Sequence, residues 1–518
     1  MTSRALVTAS IMAATVLHAL DMTIVNVALP HMQGTLLATQ DQISWVLTSY
    51  VVASAIMTPP TGILAARLGR KRFFQWSVGG FIAASMLCGI TSSLSEMVVF
   101  RILQGATGAA LIPVAQAILL DTYPRERHAQ AMALWGVGVM VGPILGPTVG
   151  GYITELYDWR WIFFINLPIG AVAMLGIAAS VPETRRDPHR KLDLTGFALL
   201  TLGVGALQLM LDRGEVEGWF DSTEIVVEAT LAGLCFYGFA VHSFTVELPF
   251  LDLALLRDRN FAIGVLLIFL INLMMLATLA LLPAFLQGLL GYPIVETGYM
   301  MMPRGIGTMV AMLLIGRIAG SIDSRLIVTC GLLLTSLSMW EMSGFNMDVD
   351  EHAIVVTGAL QGFGMGLIFS PLSAVTFSSL APQLRTDGAA VFSLMRNLGS
   401  SIGVSVMTAM LSHGRQLHRS HLVEHVTPFS DVMKDGSGAF ALDTLAGLAR
   451  LSAEISRQAD VLAYVGDFYM LMLVPLVPLP LLLILRPPRV VRPQRLSILR
   501  ARARIDVFGA KRDLWKTC

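Results

Sequence analysis

Fourteen stretches of this chain are apolar over about 20 residues, the length that carries a helix across a bilayer core. They fall at roughly 7–29, 43–66, 73–93, 95–120, 130–154, 161–181, 194–211, 224–245, 260–289, 294–316, 326–344, 352–377, 388–411 and 460–485. The seventh is short and ends at Leu211-Asp212-Arg213-Gly214. Only 14% of the 518 residues are charged and 55% are hydrophobic, whereas a soluble domain carries about 25% charged residues. The expected fold class is therefore an all-α membrane protein whose main solvent is lipid.

An even number of spans puts both termini on one side, and the basic residues say which. With a cytoplasmic N-terminus the inner segments hold 26 of the 36 Lys and Arg residues, among them Arg67, Arg70, Lys71 and Arg72, Arg185 to Lys191, and ten in the tail after Leu485. The outer segments hold seven, five of them in one long loop, and Arg101, Arg304 and Arg396 lie inside helices. A miscounted helix would invert the alternation downstream, so the positive-inside pattern supports fourteen. The first run follows Met-Thr-Ser-Arg, contains Asp21 and is long enough to span, so no cleavable leader is expected. The four cysteines are Cys88, Cys235 and Cys330 in apolar runs and Cys518 at the end, which gives no disulfide framework.

The chain repeats internally. Leu103-Gln104-Gly105 recurs as Leu360-Gln361-Gly362 at an offset of 257 residues, and the same offset carries Gly142 and Gly146 onto Gly399 and Gly403. Helices 1–6 then repeat as helices 9–14, with helices 7 and 8 inserted between. Parallel repeats of this kind place the substrate site between the halves. The expected domains are a six-helix bundle over 1–182, a linker with two inserted helices over 183–257, a second six-helix bundle over 258–485 with an outer loop at 412–459, and a basic tail over 486–518.

A carboxylate inside a spanning helix costs about 2.5–3.5 kcal/mol on insertion scales, so Asp21 is a functional candidate. At 1.5 Å per residue Asp21 lies roughly 12 Å before the outer end of helix 1, and Arg101 lies roughly 9 Å past the outer start of helix 4. The two share a depth and can pair if helices 1 and 4 face each other. A carboxylate switched between burial and a nearby guanidinium suits proton coupling, and His18 shares its helix face. A static ion pair that only orients two helices is the simpler alternative. Helix 5 carries Gly138, Gly142, Gly146 and Gly150 at four-residue spacing, which lets another backbone approach, and Pro143 and Pro147, which are expected to bend it. The loop Gly62-Ile63-Leu64-Ala65-Ala66-Arg67-Leu68-Gly69-Arg70-Lys71-Arg72 reads as a tight turn anchored at the inner surface by its cations.

These stretches, with Arg101-Ile102-Leu103-Gln104-Gly105, resemble four signatures of major facilitator drug:proton antiporters. Asp158-Trp159-Arg160-Trp161-Ile162-Phe163-Phe164-Ile165-Asn166-Leu167-Pro168, Met302-Pro303-Arg304-Gly305 and Met395-Arg396-Asn397-Leu398-Gly399 are similar to the fourteen-helix EmrB/QacA-type branch. The resemblance covers about residues 7–485. It implies proton-coupling roles for Asp21 and Arg101, a gating role for Gly138, Gly142, Pro143, Gly146, Pro147 and Gly150, and a loop role for Gly62, Arg67, Gly69 and Arg70. It departs at Ala66, where the family's loop has aspartate, so a contact that locks the outward-open state is expected to be absent or replaced.

The resemblance also implies a cavity lined by helices 1, 4, 9 and 12, with Asn26, Gln104, Asn272, Met275, Gln361 and Phe363 as candidates and Arg304 from helix 10. The remaining mid-membrane carboxylates are read as few, with Glu224 and Glu228 in helix 8, so neutral or weakly anionic lipophilic substrates are expected. The function expected is proton-coupled multidrug efflux by alternating access at the cytoplasmic membrane, driven by the proton gradient with no cofactor, metal or nucleic acid. No Walker-type loop appears. In a Gram-negative source a periplasmic adaptor and an outer-membrane channel are implied. Export or symport of a specific metabolite is the alternative. A membrane metalloenzyme built on His421, Glu424 and His425 is a remoter one, because the H-x-x-E-H spacing lies in the outer loop; an enzyme is not expected.

Overall fold

The computed structural model describes residues 4–124, 127–184, 186–187, 193–246, 249–251, 254–318, 322–426 and 444–485. The basic tail 486–518, Arg125, Arg185, Arg190, Lys191, Lys434 and the middle of the long outer loop lie outside the described residues.

The first half consists of α1 (Arg4–Thr35), α2 (Gln40–Met57), α3 (Thr61–Leu68), α4 (Arg70–Ile90), α5 (Leu94–Gly108), α6 (Leu111–Thr122), α7 (His128–Leu156), α8 (Trp161–Phe164) and α9 (Asn166–Ser180). Two inserted helices follow, α10 (Leu194–Glu217) and α11 (Thr223–Thr245). The second half is α12 (Ala254–Arg257), α13 (Arg259–Gly288), α14 (Ile294–Ile318), α15 (Ser324–Met342), α16 (Glu351–Ser378), α17 (Arg385–His425), α18 (Leu445–Leu473) and α19 (Leu479–Leu482). Among the described residues twelve helical segments are long and apolar enough to cross a membrane, and α2 with α3 makes a thirteenth, bent by 60°. The thirteenth run, 388–411, is the one left over, and it lies inside α17, whose length also takes in Arg385, Asp387, Arg415 and Arg419.

Local chemistry sets the breaks. Thr39 and Gln42 form a reciprocal capping box at the start of α2. Pro59 and Pro60 lack the N–H that would continue that helix, so the run 43–66 divides into α2 and α3. Gly69, at φ +88°, turns the chain from α3 into α4, a conformation that glycine alone adopts without strain. The seventh run is longer than its apolar stretch: α10 carries Asp212 and Arg213 within the helix and ends at Gly218 in the left-handed conformation. α7 passes through Pro143 as one continuous helix; the side chain of Pro147 is outside the described residues. α17 runs 41 residues, or roughly 60 Å at 1.5 Å per residue, about twice a bilayer core. Its far end and the start of α18 therefore leave the membrane as helix within the polar outer loop 412–459.

The repeat is visible in the packing. α1 lies along α7 as α13 lies along α17, α2 along α5 as α14 along α16, and α4 along α5 as α15 along α16. The glycines of the 257-residue offset make matching close approaches. A Cβ at Gly142 would strike the Ala19 carbonyl, and one at Gly399 the Phe269 carbonyl. A Cβ at Gly105 would strike the carbonyl of Tyr50, and one at Gly362 that of Arg304. These contacts align Ala19 with Phe269 and Tyr50 with Arg304. Between the halves, α7 packs on α14 and α16, and α17 on α3 and α6. α10 packs against both α2 and α17, so an inserted helix bridges the two halves.

Candidate functional site

Asp21 is fully buried on α1, where side chains from α5 and from the start of α9 reach it. Arg101 on α5, 1% exposed, donates from Nη1 to Asp21 Oδ2 at 3.0 Å and to Gln104 Oε1 at 2.7 Å. Gln104 Nε2 and Asn166 Nδ2 each donate to Asp21 Oδ1 at 2.8 Å. Asn166 also reaches Ser85 Oγ at 2.9 Å, and Ser85 donates to the Phe163 carbonyl at 2.9 Å. Arg101 Nε donates to the Val46 carbonyl at 3.0 Å, and its guanidinium lies 4.2 Å from the centre of the Tyr50 ring. The Tyr50 hydroxyl is 3.1 Å from His18 Nδ1.

The helices explain the convergence. Arg101 and Gln104 are three residues apart and so share one face of α5. Gly105 on the next position lets α2 approach until the Tyr50 backbone touches α5, which puts the Tyr50 ring under Arg101. A buried ion pair is tolerated only when its remaining donors and acceptors are met, and here both carboxylate oxygens of Asp21 have donors.

The other face of α1 meets the glycine stripe. Gly142, Gly146 and Gly150 lie against Ala19, Thr23 and Ile24, while Gly138 has ordinary clearance from Met12, 3.5 Å for an added Cβ. Thr23 Oγ1 donates to the Gly142 carbonyl at 3.0 Å. α1 thus carries the ion pair on one side and α7 on the other, and α7 faces the second half.

At the end of the bundle that holds the basic loop, Asp121 accepts from Arg70 and from Arg385, and Arg385 donates to the Leu120 carbonyl at 3.0 Å. Arg70 and Asp121 belong to the first half and Arg385 to the second, so the Asp121–Arg385 contact ties the halves together. Gly62 lies directly against Asp387 at the start of α17, and Arg67 is half-buried on the last turn of α3.

The cavity candidates separate. Gln104 is committed to the ion pair rather than to an open cavity. Asn26 is exposed and its amide turns back to the Met22 carbonyl at 3.3 Å. Asn272 is buried and donates to the Ile268 carbonyl at 2.8 Å. Arg304 is buried and donates to the Met275 carbonyl at 3.1 Å. Gln361 is fully buried, with its Nε2 3.7 Å from Met339 Sδ. Phe363 packs with Ile315 and Leu367 in a separate apolar cluster. His421, Glu424 and His425 are exposed at the end of α17, and among the described residues no three His, Cys, Asp or Glu side chains converge on a metal position.

Sequence reasoning overlooked four polar residues. Asn166 and Ser85 complete the Asp21 site, and only Asn166, inside an apolar run, gave a signal. Asp121 bridges the halves. Asp467, 3% exposed on α18 with Oδ2 unpartnered among the described residues, is a carboxylate within the fourteenth run. The reading of Glu224 and Glu228 as the principal remaining carboxylates is corrected by it; Glu224 is exposed and paired with Arg213.

Residues 11–404 match the Major Facilitator Superfamily. The multidrug export protein EmrB of Escherichia coli K12 is 38% identical over 82% of this chain and 83% of its own length. EmrB of Haemophilus influenzae is 35% identical over 88% and 91%, and the fatty acid resistance protein FarB of Neisseria gonorrhoeae 37% identical over 83% and 85%. In architecture the human organic anion transporter MFSD10 superposes with a TM-score of 0.60 at 15% identity, over 92% of this chain and all of its own. The proton:xylose symporter XylE superposes with a TM-score of 0.58 at 14% identity, over 89% and 94%. Matched over most of its length by both pattern and relatives, this multi-pass membrane chain belongs to the Major Facilitator Superfamily, as an EmrB-type permease.

Proposed function

We propose that the protein exports lipophilic compounds in exchange for protons, by alternating access of its two halves. The observation that carries this reading is the buried Asp21–Arg101 pair, held by Gln104 and Asn166, inside a chain whose curated relatives are multidrug export proteins. A proton arriving at Asp21 removes the charge that holds Arg101. Arg101 keeps the Val46 carbonyl, Gln104 and the Tyr50 ring as partners, so the guanidinium is not stranded when the pair opens. The pair sits on α1, whose opposite face is locked into α7 through Gly142 and Gly146. A change of charge at Asp21 therefore bears on the helix that packs against the second half, without a cofactor.

The basic loop marks the cytoplasmic end of a cytoplasmic-membrane protein with both termini inside. The Asp121–Arg385 contact then closes the cytoplasmic side, and it takes the place of the aspartate absent at Ala66. Relatives in Gram-negative bacteria support a periplasmic adaptor and an outer-membrane channel as partners; the projecting ends of α17 and α18 are on the side such a partner would meet. The electrical gradient supplies about 2.3 kcal/mol per charge at about 100 mV. At about 1.4 kcal/mol per decade one proton sustains roughly a fifty-fold gradient of a neutral compound.

The test is drug-induced proton release in proteoliposomes, wild type against Asp21→Asn. Exchange in the wild type alone supports antiport with Asp21 as the coupling acid. Equal exchange in both makes Asp21 a structural residue, and no exchange with several lipophilic compounds removes the efflux reading.

A further inference from the structure

The second half repeats the polar site of the first with one charge missing. Through the contacts at Gly105 and Gly362, Arg304 stands where Tyr50 stands. Through those at Gly142 and Gly399, and at Gly146 and Gly403, Ala19 aligns with Phe269 and Thr23 with Leu273, so Ile271 stands where Asp21 stands. The 257-residue offset sets Gln361 at the Gln104 position and Gly358 at the Arg101 position. The guanidinium has changed helix, from α5 in the first half to α14 in the second, and the Arg304 side chain starts 3.9 Å from where a Cβ on Gly358 would be. The carboxylate has no counterpart, because Ile271 is apolar and 3% exposed.

The consequence is a set of buried groups left without partners. Arg304 is 7% exposed, and its Nη1 has no hydrogen-bond partner among the described residues. Gln361 is fully buried; its acceptor Oε1 is likewise unpartnered, and its donor Nε2, the atom an anion would need, has only the weak contact to Met339 Sδ at 3.7 Å. No carboxylate among the described residues lies within 4 Å of Arg304. A buried guanidinium without a counter-charge is costly, and an anionic partner would relieve that cost. Arg304 lies among α13, α14 and α16, and both α14 and α16 pack on α7 of the first half. The site therefore borders the surface along which the halves move.

We infer that Arg304, with Gln361, receives the anionic group of a lipophilic carboxylate substrate, supplying in the second half the role that Asp21 fills internally in the first. The inference rests on the efflux reading and names a substrate class for it. A carboxylate oxygen accepts from Arg304 Nη1, and the Gln361 amide turns its Nε2 toward the same oxygen pair, as Gln104 does toward Asp21. Proton binding and substrate binding are then divided between the halves, each built on the same helix positions.

Equilibrium binding of decanoate and of uncharged decanamide to the purified full-length protein in neutral detergent tests the site independently of transport. Hydrogen bonds to a buried charge predict a preference for decanoate of roughly ten- to a hundredfold in the wild type. Arg304→Gln is expected to abolish that preference and Arg304→Lys to keep part of it. Ile271→Asp is expected to abolish it while leaving Arg304 in place, because an internal carboxylate then occupies the guanidinium. Equal binding of the two compounds by the wild type, or an undiminished preference in both Arg304→Gln and Ile271→Asp, overturns the inference. Displacement of decanoate by phosphatidylglycerol but not by other lipophilic carboxylates assigns the site to lipid headgroups and overturns it as a substrate site. A binding preference in a protein that releases no protons in liposomes would count against the efflux reading alone.

Discussion

The two halves of the molecule share a backbone plan and differ in their electrostatics. In the first half Arg101 is paired with Asp21, stacked on Tyr50 and bonded to Gln104 and the Val46 carbonyl. In the second half Arg304 has one backbone carbonyl and, among the described residues, no carboxylate. The same close approaches of glycine to carbonyl hold both bundles together, so the fold does not require the charges. A repeat that keeps its packing and changes its polar residues is one in which packing serves the scaffold and the polar residues serve function.

That difference predicts unequal responses to the same substitution. Arg101→Gln strands the Asp21 carboxylate in the bundle interior, where breaking a buried pair costs about 3–5 kcal/mol. Arg304→Gln leaves no orphaned charge and removes one that was unpaired. Its effect on stability is expected to stay within about 1 kcal/mol or to be stabilising. Thermal unfolding in detergent compares the two. The Asp21→Asn, Arg101→Gln double variant should regain much of the loss, since neither charge remains. Equal destabilisation by Arg101→Gln and Arg304→Gln would break the contrast between the halves.

The packing side of the comparison predicts equality. An alanine at Gly142 meets the Ala19 carbonyl and one at Gly399 meets the Phe269 carbonyl, both backbone atoms that cannot move aside. Each substitution is expected to cost about 1–3 kcal/mol, as overpacking does, and by similar amounts. Gly138→Ala is the control: its Cβ would sit 3.5 Å from the flexible end of Met12. It is expected to change stability by less than about 0.5 kcal/mol. Tolerance at Gly399 with intolerance at Gly142 would mean that the repeat is sequence-deep only.

Most of the scaffold was readable from residues because bilayer length and backbone satisfaction leave so few solutions. The repeat was readable because close helix contact leaves only glycine as an answer at positions such as Gly105 and Gly362. Asp21 and Arg101 stood out for the same reason, as charges where charge is expensive. What escaped were ordinary polar residues whose meaning depends on a neighbour distant in sequence. Asn166 is one amide in an apolar run until α9 brings it to Asp21, and Gln104 looked like a cavity residue until the same contact claimed it. Asp467 was plain in the sequence and was passed over. The 60° bend at α2 and α3 was signalled by Pro59 and Pro60, although the apolar run itself was continuous.

A further way to sharpen the comparison lies where the halves meet. Asp121 accepts from Arg70 on its own side and from Arg385 across the interface, and it is 31% exposed while Arg385 is 7% exposed. Asp121→Asn weakens both contacts, yet only the one to Arg385 resists opening. A partly exposed charged contact of this kind is worth about 1–2 kcal/mol, so the population with an open cytoplasmic end should rise roughly five- to thirty-fold. Double electron–electron resonance between labels on α3 and the start of α17 reads that population. An unchanged distance distribution would mean that the Gly62–Asp387 packing alone closes this end.

The smallest expected effect concerns α10, the inserted helix that bridges the halves. Asp193 caps it, accepting from the Gly196 N–H at 2.9 Å, from the Phe250 N–H at 3.1 Å and from His242 of α11 at 2.9 Å. Burial pushes the Asp193 carboxyl up, but the bonds from Gly196, His242 and Phe250 outweigh it and hold the group below its ordinary value of 3.8. A carboxylate depressed in the folded state contributes stability that is full above its unfolded value and fades as the pH falls through its folded one. Asp193→Ala should therefore cost about 1 kcal/mol at neutral pH, the usual loss of an N-cap, and progressively less below about pH 4. Amide hydrogen exchange in the first turn of α10 reads this locally. If that turn exchanges as slowly in Asp193→Ala as in the wild type at neutral pH, α10 is held between the halves by its packing on α2 and α17, with no help from its cap.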